Sequence, residues 1–219
     1  MWTALLWKEL RECSLYAGFG LLVIVQQISE AMNVPLIRLN RGPISPEIPL
    51  LSGDREWIFT IVIALVAMIC GFHQTFWESF RQTTLFLLHR PVPRSQIFLG
   101  KLAAGVLILL GVGGLPLLVY CLWAAYPGTH ASPFEWSMSE PWWRSILLGI
   151  TCYLGAFFSG LRPARWMGSR LLPLLSVLFL AAFAGYSGLA VWWVYPMLFL
   201  LAAGSLFLIL DEAQLREYP

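Results

Sequence analysis

The feature that most constrains this chain is a run of 40 residues without a charged side chain, from Leu171 to Leu210. One helix of that length would be about 60 Å long, twice the hydrocarbon thickness of a bilayer. The run therefore predicts two membrane-spanning helices, separated by a turn at Gly185–Gly188, since glycine permits turn geometry. Pro196 is expected to kink the second of them.

Four further charge-poor windows occur earlier in the chain. A charged side chain at the centre of a membrane costs about 2.5–3.5 kcal/mol, so spans are expected between the charged residues. Composition agrees, because only 12% of the 219 residues are charged, against about 25% in a soluble domain. The sequence predicts one all-α transmembrane domain over residues 1–219, with six spans at about 13–32, 57–77, 102–126, 142–161, 171–186 and 189–210.

The distribution of Lys and Arg predicts the orientation. Six spans place the N-terminus, the second and fourth loops and the C-terminus on one side of the membrane. That side carries ten of the 14 basic residues: Lys8, Arg11, Arg81, Arg90, Arg94, Lys101, Arg162, Arg165, Arg170 and Arg216. The other side carries Arg38, Arg41, Arg55 and Arg144. Basic residues mark the cytoplasmic side, so both termini of this multi-pass inner or plasma membrane protein are expected there.

The first twelve residues form an amphipathic pattern. One helical stripe holds the apolar residues Trp2, Leu5, Leu6, Leu10 and Cys13, and the charged residues Lys8, Glu9, Arg11 and Glu12 lie on the other side. Such a helix, placed before the first span, lies flat in the membrane interface. Residues 1–12 are predicted to form this elbow helix; the alternative is an irregular start to the first span.

The predicted cytoplasmic loop at residues 78–101 is expected to contain a short helix. Glu78 and Arg81 are three residues apart and share a helical face, and Pro91 and Pro93 prevent the helix from continuing. An element of this kind, with an acidic start and a basic end, can dock into a groove of a cytoplasmic partner.

These features resemble the permease subunits of ATP-binding-cassette exporters of the second type. The matching positions are Glu78, Arg81, Thr83 or Thr84, Leu87, Leu88, Pro91, Val92, Arg94, Gly100 and Lys101. The chain departs from the family pattern at Gln82-Thr83, where a glycine–threonine pair is frequent. A second departure is the short connection between the last two spans.

The resemblance implies a substrate pathway formed by a homo- or heterodimer in membrane lipid, and separate cytoplasmic ATPase subunits that bind the ATP. It implies that the ATPase is coupled through Glu78, Arg81, Thr84, Leu88, Arg90 and Arg94. The sequence contains no G-x-x-x-x-G-K-[ST] phosphate loop, so the chain is not expected to bind ATP or to be an enzyme by itself. Catalytic residues, cofactors, metals and nucleic acid are not expected, since the net charge is only +2 and none of the four cysteines lies in a C-x-x-C pair.

Polar side chains inside the spans are candidates for lining the pathway. They are Gln26, Gln27, Glu30, His73 and Gln74. The alternative is that they form hydrogen bonds between packed helices.

Two functions other than transport are compatible with a chain of several membrane spans. Gly185-Tyr186-Ser187-Gly188 matches the serine motif of rhomboid intramembrane proteases, but no histidine follows Ser187 to serve as the base that this chemistry needs. A non-transporting membrane scaffold or assembly protein remains the alternative to a transporter.

Overall fold

The computed structural model describes most of the chain, and the described part contains helices and turns and no strand. The described residues are 2–32, 34, 36, 48–51, 55–77, 94–128, 133–162, 169–186 and 191–215. They form six helices: α1, Trp2–Ala31; α2, Arg55–Phe72, extended by a π-helical turn His73–Trp77; α3, which joins Arg94–Leu109, a π-helical turn Leu110–Gly114 and Leu115–Ala125; α4, Glu140–Leu161, after a 3-10 turn Trp136–Ser139; α5, Leu172–Tyr186; and α6, Val191–Leu215. The prediction of an all-α protein is confirmed.

Five of these helices are long and apolar enough to cross a membrane. The candidate spans are Thr3–Ala31, Arg55–Trp77, Ser95–Ala125, Trp136–Leu161 and Trp193–Glu212. Helix α5 has 15 residues and is therefore about 22 Å long, shorter than the hydrocarbon layer of about 30 Å. The chain is a multi-pass membrane protein, and a sixth span at residues 171–186 stays a prediction.

Helix α1 does not divide into an elbow helix and a span. It runs for 30 residues without interruption, through the predicted boundary between residues 12 and 13. The first proline of the chain is Pro35 and the first glycine is Gly18, so no residue near that boundary favours a break. A separate elbow helix at residues 1–12 is not confirmed.

Helix α4 is the most buried of the five candidate spans. It packs along α2 and also contacts α5 and α6, whereas α1 packs on α3 and α2. The α2–α4 contact is close because Gly71 has no side chain: a Cβ there would lie 2.8 Å from the carbonyl oxygen of Tyr153. Helices α2 and α4 therefore form a tight pair on which the polar side chains are positioned.

The outer faces of the bundle are apolar. Leu15 and Phe19 on α1 and Phe199 and Phe207 on α6 are each at least two-thirds exposed. Soluble monomers rarely expose large contiguous apolar patches, and lipid is the solvent in which such a surface is stable. This agrees with the low charge content of the sequence.

Candidate functional site

Polar side chains of α1–α4 gather at two ends of the bundle. The Lys101 end is defined here by Glu9, Gln74, Lys101 and Tyr153, and the Glu56 end by Gln27, Glu56, Thr60, Arg144 and Ser145. Successive helices run in opposite directions between the two ends, since Glu9 meets Lys101 near the start of α1 and Gln27 meets Arg55 near its end. Helix α2 ends and α3 begins at the Lys101 end.

A fully buried ion pair joins α1 to α3 at the Lys101 end. The Nζ of Lys101 lies 3.4 Å from Oε1 of Glu9, and the two side chains are 3% and 0% exposed. The Nζ of Lys8, which is partly exposed, lies 3.3 Å from the same carboxylate oxygen. This corrects the sequence interpretation, which placed Glu9 on the charged, outward side of an interfacial helix.

Gln74 and Lys101 are bonded to each other in both directions. Lys101 Nζ donates to the Gln74 carbonyl oxygen at 3.1 Å, and Gln74 Nε2 donates to the Lys101 carbonyl oxygen at 3.5 Å. Gln74 reaches α3 from the π-helical turn that ends α2, and such turns occur frequently at functional sites. The turns that flank residues 78–93 are thus attached to each other.

Tyr153 adds α4 to the same network. Its hydroxyl donates to Gln74 Oε1 at 2.5 Å and lies 3.1 Å from the Lys101 carbonyl oxygen. Its ring occupies the space beside Gly105, where a Cβ would overlap the ring and hydroxyl atoms. The absence of a side chain at Gly105 therefore allows Tyr153 to reach Lys101. Helices α1 to α4 thus meet in one network of hydrogen bonds and an ion pair.

A sulfur and imidazole layer lies next to this network. Cys13 on α1 and Cys70 on α2 are both buried free thiols, and His73 makes an edge contact with Tyr16, with ring centroids 5.4 Å apart. The Nδ1 of His73 is buried and has no hydrogen-bond partner in the described part of the chain. No group of three or more His, Cys, Asp or Glu side chains suited to a metal ion occurs among the described residues.

The Glu56 end is held by separate contacts. An ion pair joins Glu56 on α2 to Arg144 on α4 at 3.6 Å, and these side chains are 39% and 33% exposed. The hydroxyls of Thr60 and Ser145 lie 2.7 Å apart. Gln27 Nε2 donates to the Arg55 carbonyl oxygen.

A loop residue also closes the Glu56 end. Leu50 is buried and has a φ of 67°, a conformation that is unfavourable for leucine. Its N–H donates to the Tyr120 hydroxyl at 3.3 Å, and its carbonyl oxygen accepts from Trp142 Nε1 at 3.2 Å. These two bonds hold the backbone of Leu50 between α3 and α4.

The structure separates the five polar residues predicted inside the spans. Gln26, Gln27 and Glu30 lie towards the Glu56 end, and His73 and Gln74 lie at the Lys101 end. Gln27 and Gln74 bond to other helices, as the packing alternative predicts, and Gln26 bonds to Glu30 within α1 at 2.8 Å. A role of these residues in lining a pathway stays a prediction.

The predicted ATPase-coupling residues mostly lie outside the described residues. Glu78, Arg81, Thr84, Leu88 and Arg90 fall in residues 78–93, and of Arg94 the structure describes the backbone at the start of α3. Their role in coupling stays a prediction.

Sequence analysis missed the roles of Glu9 and Tyr153 and the partners of Lys101. One signal for Glu9 was present, because Leu5, Glu9 and Cys13 follow one another at a spacing of four and therefore share a helical face. Glu9 thus belongs to the apolar stripe as much as to the charged side. For Tyr153, whose partners are 79 and 52 residues away, the sequence contains no comparable signal.

Comparison with known proteins gives the family. A family model described as "ABC-2 family transporter protein" matches residues 14–210. The chain belongs to this family. The resemblance to the permeases of this family is thereby confirmed, and the membrane helices of the chain agree with a transport subunit. No curated protein and no solved structure matches the chain.

Proposed function

We propose that this chain is the membrane-spanning permease subunit of an ATP-driven exporter. It forms the substrate pathway as a dimer with a second permease, identical or different, in the inner or plasma membrane. Separate cytoplasmic ATPase subunits bind and hydrolyse the ATP. Membership of the ABC-2 transporter family carries this proposal.

Two sequence features support the division of labour between permease and ATPase. The chain contains no phosphate-binding loop, so ATP chemistry requires a partner. The excess of Lys and Arg on one side supports a cytoplasmic location of residues 78–93, where an ATPase can reach them. In this assignment the Lys101 end is cytoplasmic and the Glu56 end faces outward.

The degree of burial distinguishes the polar residues that can line a pathway from those that cannot. Gln26, Glu30 and His73 are partly buried within the subunit, so their outer atoms can face a second permease. Gln74 is 1% exposed and is committed to the network with Lys101 and Tyr153. We therefore assign the first three to the pathway and Gln74 to the interior of the subunit.

The test is a pull-down of the cognate ATPase with the Glu78→Ala variant. A charged group that loses its partner in a desolvated contact weakens binding by about 2–5 kcal/mol, whereas a surface pair is worth about 0–1 kcal/mol. Glu78→Ala is therefore expected to insert and fold normally and to lose most of the bound ATPase. Gln82→Ala, in the same segment and without a charge, is the matched control and keeps it.

Two results would contradict the proposal at different levels. If Glu78→Ala, Gln82→Ala and the unaltered chain recover equal amounts of ATPase, Glu78 does not take part in the coupling contact. An unaltered chain that recovers no nucleotide-hydrolysing subunit, and that supports no ATP-dependent transport in vesicles, favours a membrane scaffold instead.

A further inference from the structure

The described turns on either side of residues 78–93 are bonded to each other through Gln74 and Lys101, and this bonded pair is called the base. Gln74 lies three residues before Trp77, the last residue of α2, and Lys101 lies in the second turn of α3. The two reciprocal bonds between Gln74 and Lys101 attach these turns to each other. A force applied to the segment therefore reaches α2 and α3 together.

The ion pair connects this base to α1. Lys101 is the side chain that contacts both Gln74 and Glu9, and the buried pair loses little strength to solvent screening. A displacement of the base that separated Nζ from Oε1 would break the attraction between the two buried charges, although Glu9 would keep its contact with the partly exposed Lys8 and Lys101 its bond to Gln74. It is therefore opposed unless α1 moves with the base.

Stability is not a sufficient explanation for this pair. Replacement of a buried ion pair by apolar side chains of similar volume is often neutral or stabilising, because the charges must be desolvated. Charged residues within membrane helices mark functional positions by default. The pair has a specific mechanical position, between the base of residues 78–93 and the first turns of the longest unbroken α-helix in the described chain.

We propose that Glu9 and Lys101 are positioning residues that transmit motion of the ATPase-bound segment to α1. The proposal rests on the proposed function, since it requires an ATPase bound at residues 78–93. When nucleotide binding moves that segment, the Gln74–Lys101 base moves with it and the ion pair carries α1 along. The hydrogen bond from the Tyr153 hydroxyl to Gln74 attaches the base to α4.

The experiment compares two double variants in the complex with its ATPase. In Glu9→Leu/Lys101→Met the buried pair is replaced by apolar side chains of similar volume. In the control, Glu56→Leu/Arg144→Met, the same chemistry is applied to the half-exposed pair at the Glu56 end. Each complex is examined for thermal midpoint in detergent, for bound ATPase and for ATPase activity in liposomes.

Motion of α1 is measured directly by a spin-label distance. Labels are placed at Phe19 on α1 and Phe207 on α6, which are 73% and 69% exposed. The distance is compared between the nucleotide-free complex and the complex trapped with ATP. This readout needs no knowledge of the substrate and is not changed by a role of the pair in folding alone.

The proposal expects the Glu9→Leu/Lys101→Met complex to keep its ATPase and its thermal midpoint. It also expects loss of the ATP-dependent distance change and a fall of about tenfold in permease-dependent stimulation of the ATPase, within the usual range of coupling between sites. The control variant keeps both. Retention of the distance change in Glu9→Leu/Lys101→Met, or its equal loss in the control, overturns the proposal.

The unaltered complex separates this proposal from the proposed function. If it binds no ATPase, or shows no distance change with ATP, the proposed function fails first. If it shows both and only the variant result is wrong, the function stands and the transmission by Glu9 and Lys101 does not.

Discussion

The two ends of the bundle use the same kinds of contact in different surroundings. An ion pair between helices occurs at each end, but Glu9 and Lys101 are buried whereas Glu56 and Arg144 are each about one-third exposed. A half-exposed pair is weakened by solvent and salt. The difference in burial therefore decides what each pair can do in the fold.

The ends also differ in how their bonds are connected. At the Lys101 end, Lys101 and Gln74 share partners, so bonds to α1, α2, α3 and α4 form one network. At the Glu56 end the Gln27–Arg55 bond joins α1 to α2 and the Thr60–Ser145 bond joins α2 to α4, so each of these bonds connects only two helices. We expect the Lys101 end to move as a unit and the Glu56 end to open one contact at a time.

The largest expected effect is that of Lys101→Ala. It removes the buried one of the two ammonium groups that contact Glu9, the other being the partly exposed Lys8, and removal of one partner of a buried pair costs about 3–5 kcal/mol. The matched change at the other end, Arg144→Ala, is expected to cost at most about 1 kcal/mol. The free energy of unfolding in mixed micelles measures both, and equal losses would erase the distinction between the two ends.

Gly105→Ala is expected to have the next largest effect. The new Cβ would overlap the ring of Tyr153, and overpacking of this kind costs about 1–3 kcal/mol. Gly111→Ala in the same helix is the control, because nothing lies within 4 Å of a Cβ there. A thermal midpoint that falls no further in Gly105→Ala than in Gly111→Ala would show that Tyr153 does not need this space.

Tyr153→Phe tests a single bond of the network. It leaves the Oε1 atom of Gln74 buried without this donor, for which the cost is about 1–3 kcal/mol. Tyr195→Phe removes a part-buried bond to the Glu140 carbonyl oxygen and is expected to cost about 1 kcal/mol or less. The two differences in unfolding free energy, measured side by side, should keep this order; the reverse order would argue against the network.

Reporter fusions assign the two ends of the bundle to the two sides of the membrane and are expected to change stability least of all. Fusions at residue 219 and at residue 40 should report opposite sides, with residue 219 in the cytoplasm. The reason is the distribution of Lys and Arg: ten of the 14 lie on the side predicted to hold the termini and four lie on the other side, and basic residues mark the cytoplasmic side. Reporters that agree at both positions would contradict an even number of spans.

The helices could be predicted from the sequence because charge-free windows are a local property. Five of the windows overlap the candidate spans, although the first span begins ten residues before its window, and the helix α5 lies in the remaining window. The elbow helix was not confirmed, because amphipathic periodicity at residues 2–13 does not reveal whether a helix bends. A continuous helix and a bent one have the same pattern.

The site could be predicted only in part. Gln74 was recognised as a polar residue inside a span, and its bonds to α3 follow the packing alternative. The pairing of Glu9 with Lys101 joins residues that are 92 positions apart, and it depends on how α1 and α3 pack. Periodicity places Glu9 on a helical face but does not identify what that face meets.

The most direct test of this account is a double-mutant cycle on Glu9 and Lys101. Unfolding free energies are measured for the unaltered chain, Glu9→Leu, Lys101→Met and the double variant. Because each single change removes the buried opposite charge from beside the one that remains, the double variant is expected to be more stable than either single variant, with an interaction energy of about 2–3 kcal/mol. Additive effects of the two changes would contradict the account, since they would mean that the two side chains do not act as a buried pair.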